Sequence, residues 1–172
     1  IVIGSCKMKQ LDIYTDGSHF KKGNGRLGIG GVLVDLTQQG PLGKKIGEFG
    51  IELNPSDLRK DFGPGAETCS NPTAELTAVL VSLRKFIDLL KTADIVYVHA
   101  DYIGVREWMM GNGKVKEPYI AKVKEAIENL IHEEGLDGKI KYAWVKGHQA
   151  NSMTNPDIYW NNYVDGLAKG EN

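Results

Sequence analysis

Three strand-like segments follow one another in the first 53 residues, joined by connections too short to contain a crossover helix. The first, from Leu11 to Thr15, alternates apolar and polar residues and ends at the turn-forming Asp16-Gly17-Ser18. The second covers Ile29 to Leu36 and the third covers Ile46 to Leu53, with glycines between them that favour a reversal. Because parallel strands need a long crossover, this part of the chain predicts an antiparallel meander.

Helical and strand-like segments alternate over the rest of the chain. Residues 54–70 are rich in Pro, Gly, Asp and Ser and predict a long surface loop. Asn71-Pro72 then predicts a helix start with Asn71 as its cap, followed by an apolar stripe from Leu76 to Leu90. The continuous apolar run from Ile95 to His99 is typical of a central strand that is covered on both faces.

The C-terminal part predicts a short helix over 104–110, a longer helix over 118–132, a strand over 140–144 and a last helix capped by Asn155-Pro156. The inner face of that last helix carries Trp160, Val164, Leu167 and Ala168. This order predicts an α/β fold whose five-stranded mixed sheet, three antiparallel strands and then two parallel strands, is flanked by helices.

The length and the first residues define the expected domain. A chain of 172 residues suits one domain with a sizeable core. We expect residues 9–172 to form it and residues 1–8 to be a tag remnant or an N-terminal extension, since the chain begins with Ile1 and its first Met is Met8. It contains neither a signal-peptide pattern nor an apolar run of the roughly 20 residues that a bilayer requires. We therefore expect a protein that is not secreted and has no membrane partner, located in the cytoplasm or, in a eukaryote, in the nucleus.

The net charge and the two cysteines bear on whether the protein binds nucleic acid or a metal ion held by thiolates. The net charge of −1 lacks the overall basic signature of nucleic-acid binding, although lysines cluster locally, for example at Lys21 and Lys22. Each such cluster by itself is typical of a solvated surface. Cys6 and Cys69 share no short metal-ligand spacing, so we interpret them as reduced thiols.

Four acidic residues stand where a sheet and its helices can bring them together. Asp16 ends the first strand and Asp101 directly follows the fourth, so adjacent parallel strands would place both carboxylates at one sheet edge. Glu75 aligns with the apolar stripe of its helix, where an unpaired charge is costly, and Asp165 lies in the last helix. Taken singly, each has an ordinary alternative as a turn former, a helix-dipole partner or a surface charge. We expect the four to converge, with no basic partner beside any of them.

Converging carboxylates predict a metal centre. They repel one another, which raises their pKa values unless a cation compensates. Two Mg²⁺ ions, with Mn²⁺ as a substitute, suit such oxygen ligands. Two ions about 3.5–4 Å apart can activate a water and stabilise the leaving oxygen of a phosphate displacement. The hypothesis is a hydrolysis that needs no nucleophilic side chain.

Five motifs in order resemble type 1 ribonuclease H (ribonuclease HI), over about residues 9–169: Tyr14-Thr15-Asp16-Gly17-Ser18, Asn71-Pro72-Thr73-Ala74-Glu75-Leu76, Ala100-Asp101, Trp144-Val145-Lys146-Gly147-His148 and Asn161-Asn162-Tyr163-Val164-Asp165-Gly166-Leu167-Ala168. The resemblance implies a ribonuclease H-like fold and an endonuclease that cuts the RNA strand of RNA–DNA hybrids, leaving 5′-phosphate and 3′-hydroxyl ends. It implies that Asp16, Glu75, Asp101 and Asp165 are catalytic metal ligands. It places His148 on a mobile loop, assisting proton transfer or product release.

The hybrid is expected to be read through its shape and 2′-hydroxyls, with affinity from lysine–phosphate contacts. The residues proposed to bind it are Gly17, Ser18, Asn24, Asn71 and Lys146. The chain departs from the family pattern at Tyr102, where Ser is common, and in a short Gly111–Pro118 segment that leaves no room for a basic protrusion.

Two alternatives stay open at this point. One is a catalytically degenerate ribonuclease H-like module that binds nucleic acid or protein, since one fold hosts different functions. The other is the ribonuclease H portion of a reverse transcriptase, which keeps the chemistry and changes the context. We expect a monomer, either alone or as part of a larger polypeptide.

Overall fold

A mixed sheet with the strand order β3-β2-β1-β4-β5 organises the computed structural model, which describes residues 8–20, 26–38, 40–68 and 70–171. The β1–β2 and β2–β3 pairs are antiparallel, whereas the β1–β4 and β4–β5 pairs are parallel. The predicted sheet is therefore confirmed. Its strands are β1 (Gln10–His19), β2 (Leu27–Asp35), β3 (Lys44–Glu52), β4 (Ile95–Ala100) and β5 (Ile140–Trp144).

Helices cover both faces of the sheet. One core joins apolar side chains of β1 and β4 to α2 and α5, and a smaller core joins Tyr14 and Val32 to Trp160 and Val164 of α6. Within the described ranges, no helix combines the length and apolar character that crossing a membrane requires. The helices are α1 (Pro55–Phe62), α2 (Asn71–Lys85), α3 (Ile87–Leu90), α4 (Ile103–Met109), α5 (Pro118–Glu133) and α6 (Pro156–Lys169).

Glycines let α6 lie close to the sheet. A Cβ on Gly30 of β2 would stand 2.9 Å from the backbone oxygen of Val164, and one on Gly50 of β3 would stand 2.6 Å from that of Leu167. Any side chain at these positions would push the helix outward. This close packing matters for the site, because α6 carries Asp165. The predicted inner face of α6 is confirmed, since Trp160, Val164, Leu167 and Ala168 are all buried.

The prediction of a loop over residues 54–70 is wrong. Residues 55–62 form α1, and the Asn54 side chain caps it by accepting a hydrogen bond from the Ser56 N–H at 2.9 Å. Leu58 and Phe62, one helical turn apart, are buried in the main core. Asn54-Pro55 is the same start signal that predicts the last helix correctly at Asn155-Pro156, but Gly63, Pro64 and Gly65 after α1 favour a loop.

Two smaller corrections concern α2. Ser70, not Asn71, occupies the cap position, so Asn71 is the first helical residue and its side chain is exposed. The apolar stripe does not continue in one helix to Leu90, because the chain leaves helical geometry at Phe86 before α3 begins. Residues 1–7 of the expected extension lie outside the described residues, as do Cys6, Lys21, Lys22, Asn24 and Cys69.

Candidate active site

Asp16, Glu75 and Asp101 meet at the carboxyl ends of β1 and β4. The parallel register pairs Thr15 with Ala100, so the residues that follow these two emerge side by side. The first turn of α2 adds Glu75 from the neighbouring layer. One carboxylate oxygen from each residue lies within 4.8 Å of the other two. The convergence predicted for these three acids is present in the structure.

This acidic cluster, defined as Asp16, Glu75 and Asp101, is shielded from water. Asp16 is 2% exposed and Glu75 is 5% exposed, whereas Asp101 is half-buried. The Glu75 Oε2 atom is buried and has no hydrogen-bond partner among the described residues. A buried carboxylate oxygen without a partner is costly, so this oxygen is open to a ligand that supplies positive charge.

Burial and mutual repulsion shift the protonation of the acidic cluster. Burial, followed by the charges of Glu75 and Asp101, raises the pKa of Asp16 well above its ordinary value. Burial and the charge of Asp101 raise the pKa of Glu75 to about 8, although hydrogen bonds from Asp16 and the Gly17 N–H oppose the shift. Burial also raises the pKa of Asp101. The cluster thus retains protons near neutral pH unless a cation replaces them.

Asp165 stands beside the acidic cluster but not inside it. Its carboxyl lies close enough to hydrogen-bond with Asp16, and it lines the same cavity. The Nζ atom of Lys169, one turn later on α6, lies 2.7 Å from Asp165 Oδ2. The prediction that none of the four acids has a basic partner is therefore wrong for Asp165. Both side chains are partly buried, and ion pairs at this helical spacing typically contribute only about 0.3–0.5 kcal/mol, so a metal ion can displace the lysine.

A cavity of about 380 Å³ opens over the acidic cluster. Of the residues predicted to bind substrate, Gly17, Ser18 and Asn71 line it, whereas Lys146 is exposed and is not among the lining residues. The residues around it are Asp16, Gly17, Ser18, His19, Asn71, Glu75, Asp101, Tyr102, Gly147, His148 and Asp165. Three of these were not assigned to the site from sequence: His19, Gly147 and Tyr102, the last noted only as a departure from the family pattern.

His148 lies at the rim on an irregular segment between β5 and α6. Its φ of 55° makes it the one non-glycine residue in the described ranges with a positive φ. Such a conformation costs about 1–3 kcal/mol and is found most often at functional sites. The His148 side chain is exposed and close enough to Asp101 for their charges to interact. Its predicted place beside the acids agrees with the structure.

Two glycines allow backbone segments to pack closely around Asp101 and Glu75. A Cβ on Gly147 would lie 2.9 Å from Asp101 Oδ2, so the loop that carries His148 can approach Asp101 only without a side chain. A Cβ on Gly17 would lie 2.8 Å from the Cβ of Ala74. The missing side chain of Gly17, which we interpreted as room for RNA, therefore also allows α2 to bring Glu75 against the end of β1.

Two further residues support Asp101 and were not singled out from the sequence. Asn161 of α6 is 3% exposed and hydrogen-bonds the Asp101 carboxylate, which lowers the pKa of Asp101 against the effect of burial. The Trp144 Nε1–H donates to the Asp101 backbone oxygen at 2.9 Å. Asn161 lies one helical turn before Asp165, and this spacing was a signal that it shares the face of α6 turned towards the site.

The sheet order and the acids at its edge define a ribonuclease H-like domain. Similarity to known proteins agrees: the RNase H family model matches residues 8–172. A ribonuclease H from Saccharopolyspora erythraea is 27% identical over 154 residues, covering 84% of this chain and 83% of that protein. A ribonuclease H from Klebsiella pneumoniae is 28% identical over 149 residues, covering 82% and 79%.

Among solved structures, the fold is similar to that of LC11-RNase H1 in complex with an RNA/DNA hybrid. The TM-score is 0.64 at 23% identity, over 93% of this chain and 94% of that one. The chain belongs to the RNase H family. The resemblance predicted from the five motifs, the fold class and the classification of the chain as a ribonuclease H are thereby confirmed.

Proposed function

We propose that this chain is an endonuclease that cuts the RNA strand of RNA–DNA hybrids by metal-dependent hydrolysis, leaving 5′-phosphate and 3′-hydroxyl ends. One observation carries the proposal: Asp16, Glu75 and Asp101 converge within 4.8 Å at the floor of an open cavity. Such a cluster is unfavourable by itself, and a protein retains it where divalent cations bind. The relative that was solved with an RNA/DNA hybrid supports the choice of substrate.

The donor set fits two Mg²⁺ ions, for which Mn²⁺ can substitute. All the donors are hard carboxylate oxygens, and the unpartnered Glu75 Oε2 offers an oxygen that no protein group satisfies. Asp16, Glu75 and Asp101 would hold the ions, and Asp165 would join them by exchanging Lys169 for metal. When bound, two such ions lower the pKa of the attacking water and stabilise the leaving oxygen in an in-line displacement.

The protein itself contributes fixed geometry and a proton carrier. Asn161, Trp144 and the Gly147 backbone hold Asp101 from three sides, so its carboxylate needs little reordering when a ligand arrives. The exposed imidazole of His148 lines the cavity, and its ring nitrogens can accept or donate a proton there. We assign it to proton transfer or to product release.

Contacts with the nucleic acid would surround the cavity. Ser18 and Asn71 line it and can hydrogen-bond to sugar or phosphate oxygens of the RNA strand. Lys146 is exposed outside the cavity and suits a phosphate further along the duplex, where its contribution would fall with added salt. Asn24 belongs to the same hypothesis on sequence grounds alone.

The test is a cleavage assay on end-labelled RNA–DNA hybrid, double-stranded RNA and double-stranded DNA, each with Mg²⁺ and with EDTA. We expect the RNA strand of the hybrid to be cut only with Mg²⁺. Asp16→Asn should abolish cleavage without unfolding the domain, because it removes a charge that burial already disfavours. Asp137→Asn, at an exposed acid in the turn between α5 and β5 that does not line the cavity, is the control and should remain active. Activity in EDTA, or full activity of Asp16→Asn, would refute the proposal.

The same assay addresses the two alternatives. A degenerate binding module would bind the hybrid and leave it intact, but the acidic cluster that faces the phosphates would weaken such binding, so we do not favour it. A ribonuclease H portion of a reverse transcriptase would share this site and this reaction. That alternative changes the surroundings of the domain and not its chemistry.

A further inference from the structure

A buried polar network lies on the α6 side of the sheet, next to the acids but not part of them. Its members are Asp12 and Tyr14 of β1, His99 of β4 and Asp157 in the first turn of α6. Asp12 is 2% exposed, Tyr14 0% and His99 8%, so three of the four are removed from water. We call these four residues the Tyr14 network.

Short contacts join the members of the Tyr14 network. The Tyr14 hydroxyl donates to Asp157 Oδ1 at 2.6 Å, and this bond ties β1 to α6 across 143 positions of sequence. The Nε2 atom of His99 lies 2.6 Å from Asp12 Oδ2, which ties β4 to β1. The Tyr14 and His99 rings stack with their centroids 4.4 Å apart and an interplanar angle of 9°. The network therefore links three separate elements.

Each linked element carries one of the candidate metal ligands. Tyr14 lies two residues before Asp16, and alternate residues of a strand point to the same face, so both face α6. His99 lies two residues before Asp101, at the end of β4. Asp157 begins the helix that carries Asp165, about 12 Å further along at 1.5 Å per residue.

We propose that the Tyr14 network is a positioning device that holds β1, β4 and α6 in the arrangement that brings Asp16, Asp101 and Asp165 together for metal binding. The inference rests on the proposed function in treating these acids as metal ligands. None of its four residues lines the cavity, so they are positioning residues. A hydrogen-bonded network in a buried setting has few alternative geometries, which suits this role.

The central variant is Tyr14→Phe, which removes the hydroxyl and keeps the stacked ring. Its matched control is Tyr163→Phe: the Tyr163 hydroxyl also donates to a carboxylate at 2.6 Å, and it also anchors α6, but to Glu48 of β3, which carries no metal ligand. If the Tyr14 network positions the ligands, only the first variant should weaken metal binding. If every hydrogen bond that anchors α6 to the sheet has the same effect, both variants should weaken metal binding.

The main measurement is calorimetric titration with Mg²⁺ alone, without nucleic acid. We expect Tyr14→Phe to weaken Mg²⁺ binding by about tenfold, the lower end of the loss found when a direct hydrogen-bond partner of a metal ligand is removed, because the Tyr14 hydroxyl acts on the ligands only through α6. The Mg²⁺ concentration for half-maximal cleavage should rise in parallel, with an unchanged KM for the hybrid. Tyr163→Phe should bind Mg²⁺ like the unsubstituted chain. Unchanged binding in Tyr14→Phe, or equal weakening in both variants, would overturn the inference.

A second pair of variants guards against misfolding of Tyr14→Phe. Asp157 is half-exposed, so substitutions there disturb the core less. Asp157→Asn keeps an oxygen that accepts from Tyr14 and should retain Mg²⁺ binding, whereas Asp157→Ala should lose as much as Tyr14→Phe. Equal behaviour of the two Asp157 variants would count against the inference. If the unsubstituted chain binds Mg²⁺ but leaves hybrids intact, the proposed function fails while calorimetry still decides the role of the network.

Discussion

Lys169 Nζ lies 2.7 Å from Asp165 Oδ2, at the edge of a site whose other acids form no ion pair within the described part of the chain. The pair shares the last two turns of α6, at a spacing of four residues. Hydrogen bonding to Asp165 raises the pKa of Lys169, so the lysine stays charged throughout the neutral range. Lys169 therefore pairs with the carboxylate that the proposed function assigns to a metal ion. The lysine and the metal ion would compete for Asp165.

Removing this competitor should strengthen metal binding. We expect Lys169→Gln to lower the Kd for Mg²⁺, measured by calorimetry without nucleic acid, by about twofold, because ion pairs at this helical spacing are typically worth about 0.3–0.5 kcal/mol. Lys91→Gln is the control, since Lys91 forms a similarly short but more exposed pair with Glu134, and neither residue lines the cavity. Weaker Mg²⁺ binding in Lys169→Gln would mean that Lys169 supports the site and does not compete for it.

The positions of the site acids can be predicted from the sequence because each acid lies beside or within a segment with a clear strand or helix pattern. Asp16 and Asp101 directly follow the last paired residues of two parallel strands, whose pairing follows from the order of elements, and Glu75 interrupts an apolar stripe. The partner of Asp165 was within reach as well, since Lys169 follows at helical spacing. The motif that contains Asp165 ends at Ala168, one residue before Lys169, so the motif alone does not indicate the pair.

Other features depend on three-dimensional contacts that a single sequence does not encode locally. Tyr14 and Asp157 are 143 positions apart, and nothing in either segment indicates that a hydroxyl and a carboxylate will meet. The strained backbone of His148 depends likewise on how its loop passes Asp101. Helix α1 was missed for another reason: a helix of eight residues with two buried side chains leaves a weak periodic signal.

Stability of the metal-free protein should depend on pH through the acidic cluster. Between the ordinary pKa of Glu75, 4.5, and its folded value of about 8, the folded state holds a proton that the unfolded state has released. Stability therefore falls as pH rises through this window and is highest below it. In EDTA, we expect Tm to fall from pH 5 to pH 8 by at least about 2–4 °C, the shift that about 1 kcal/mol produces in a domain of this size.

Glu75→Gln separates the contribution of Glu75 to the pH dependence of stability from the contributions of other titrating groups. It removes one acid and relieves the repulsion on Asp16, so its Tm should depend less on pH over the same window. Mg²⁺ should raise the Tm of the unsubstituted chain more at pH 8 than at pH 5, because protons and metal compete for the same oxygens. Parallel pH profiles for the two proteins in EDTA would contradict this explanation.

The contribution of α1 should appear in stability and not in catalysis. Leu58 is 4% exposed and packs into the main core, away from the cavity. We expect Leu58→Ala to lower the free energy of unfolding by about 2–5 kcal/mol, as for other buried leucines. The measurement is urea denaturation, with kcat on the hybrid unchanged at temperatures where the variant is folded. Lys60→Ala, at an exposed position of the same helix, is the control and should leave unfolding nearly unaffected.

The approach of the His148 loop to Asp101 gives the sharpest steric test. Gly147→Ala would place a Cβ 2.9 Å from Asp101 Oδ2, closer than carbon and oxygen tolerate, so either the loop or the carboxylate must move. A displacement of about 1 Å at a reacting centre can cost on the order of 10²-fold in rate, and we expect kcat on the hybrid to fall by about that factor.

The control for this loop substitution is Gly113→Ala, where the new Cβ would stand 3.5 Å from Trp108, an ordinary contact. Neither glycine has a positive φ, so the two substitutions differ in what the methyl group meets and not in backbone strain. Both variants should unfold at similar urea concentrations in EDTA. If Gly147→Ala cleaves hybrids as fast as Gly113→Ala does, the distance between the loop backbone and Asp101 has no part in catalysis.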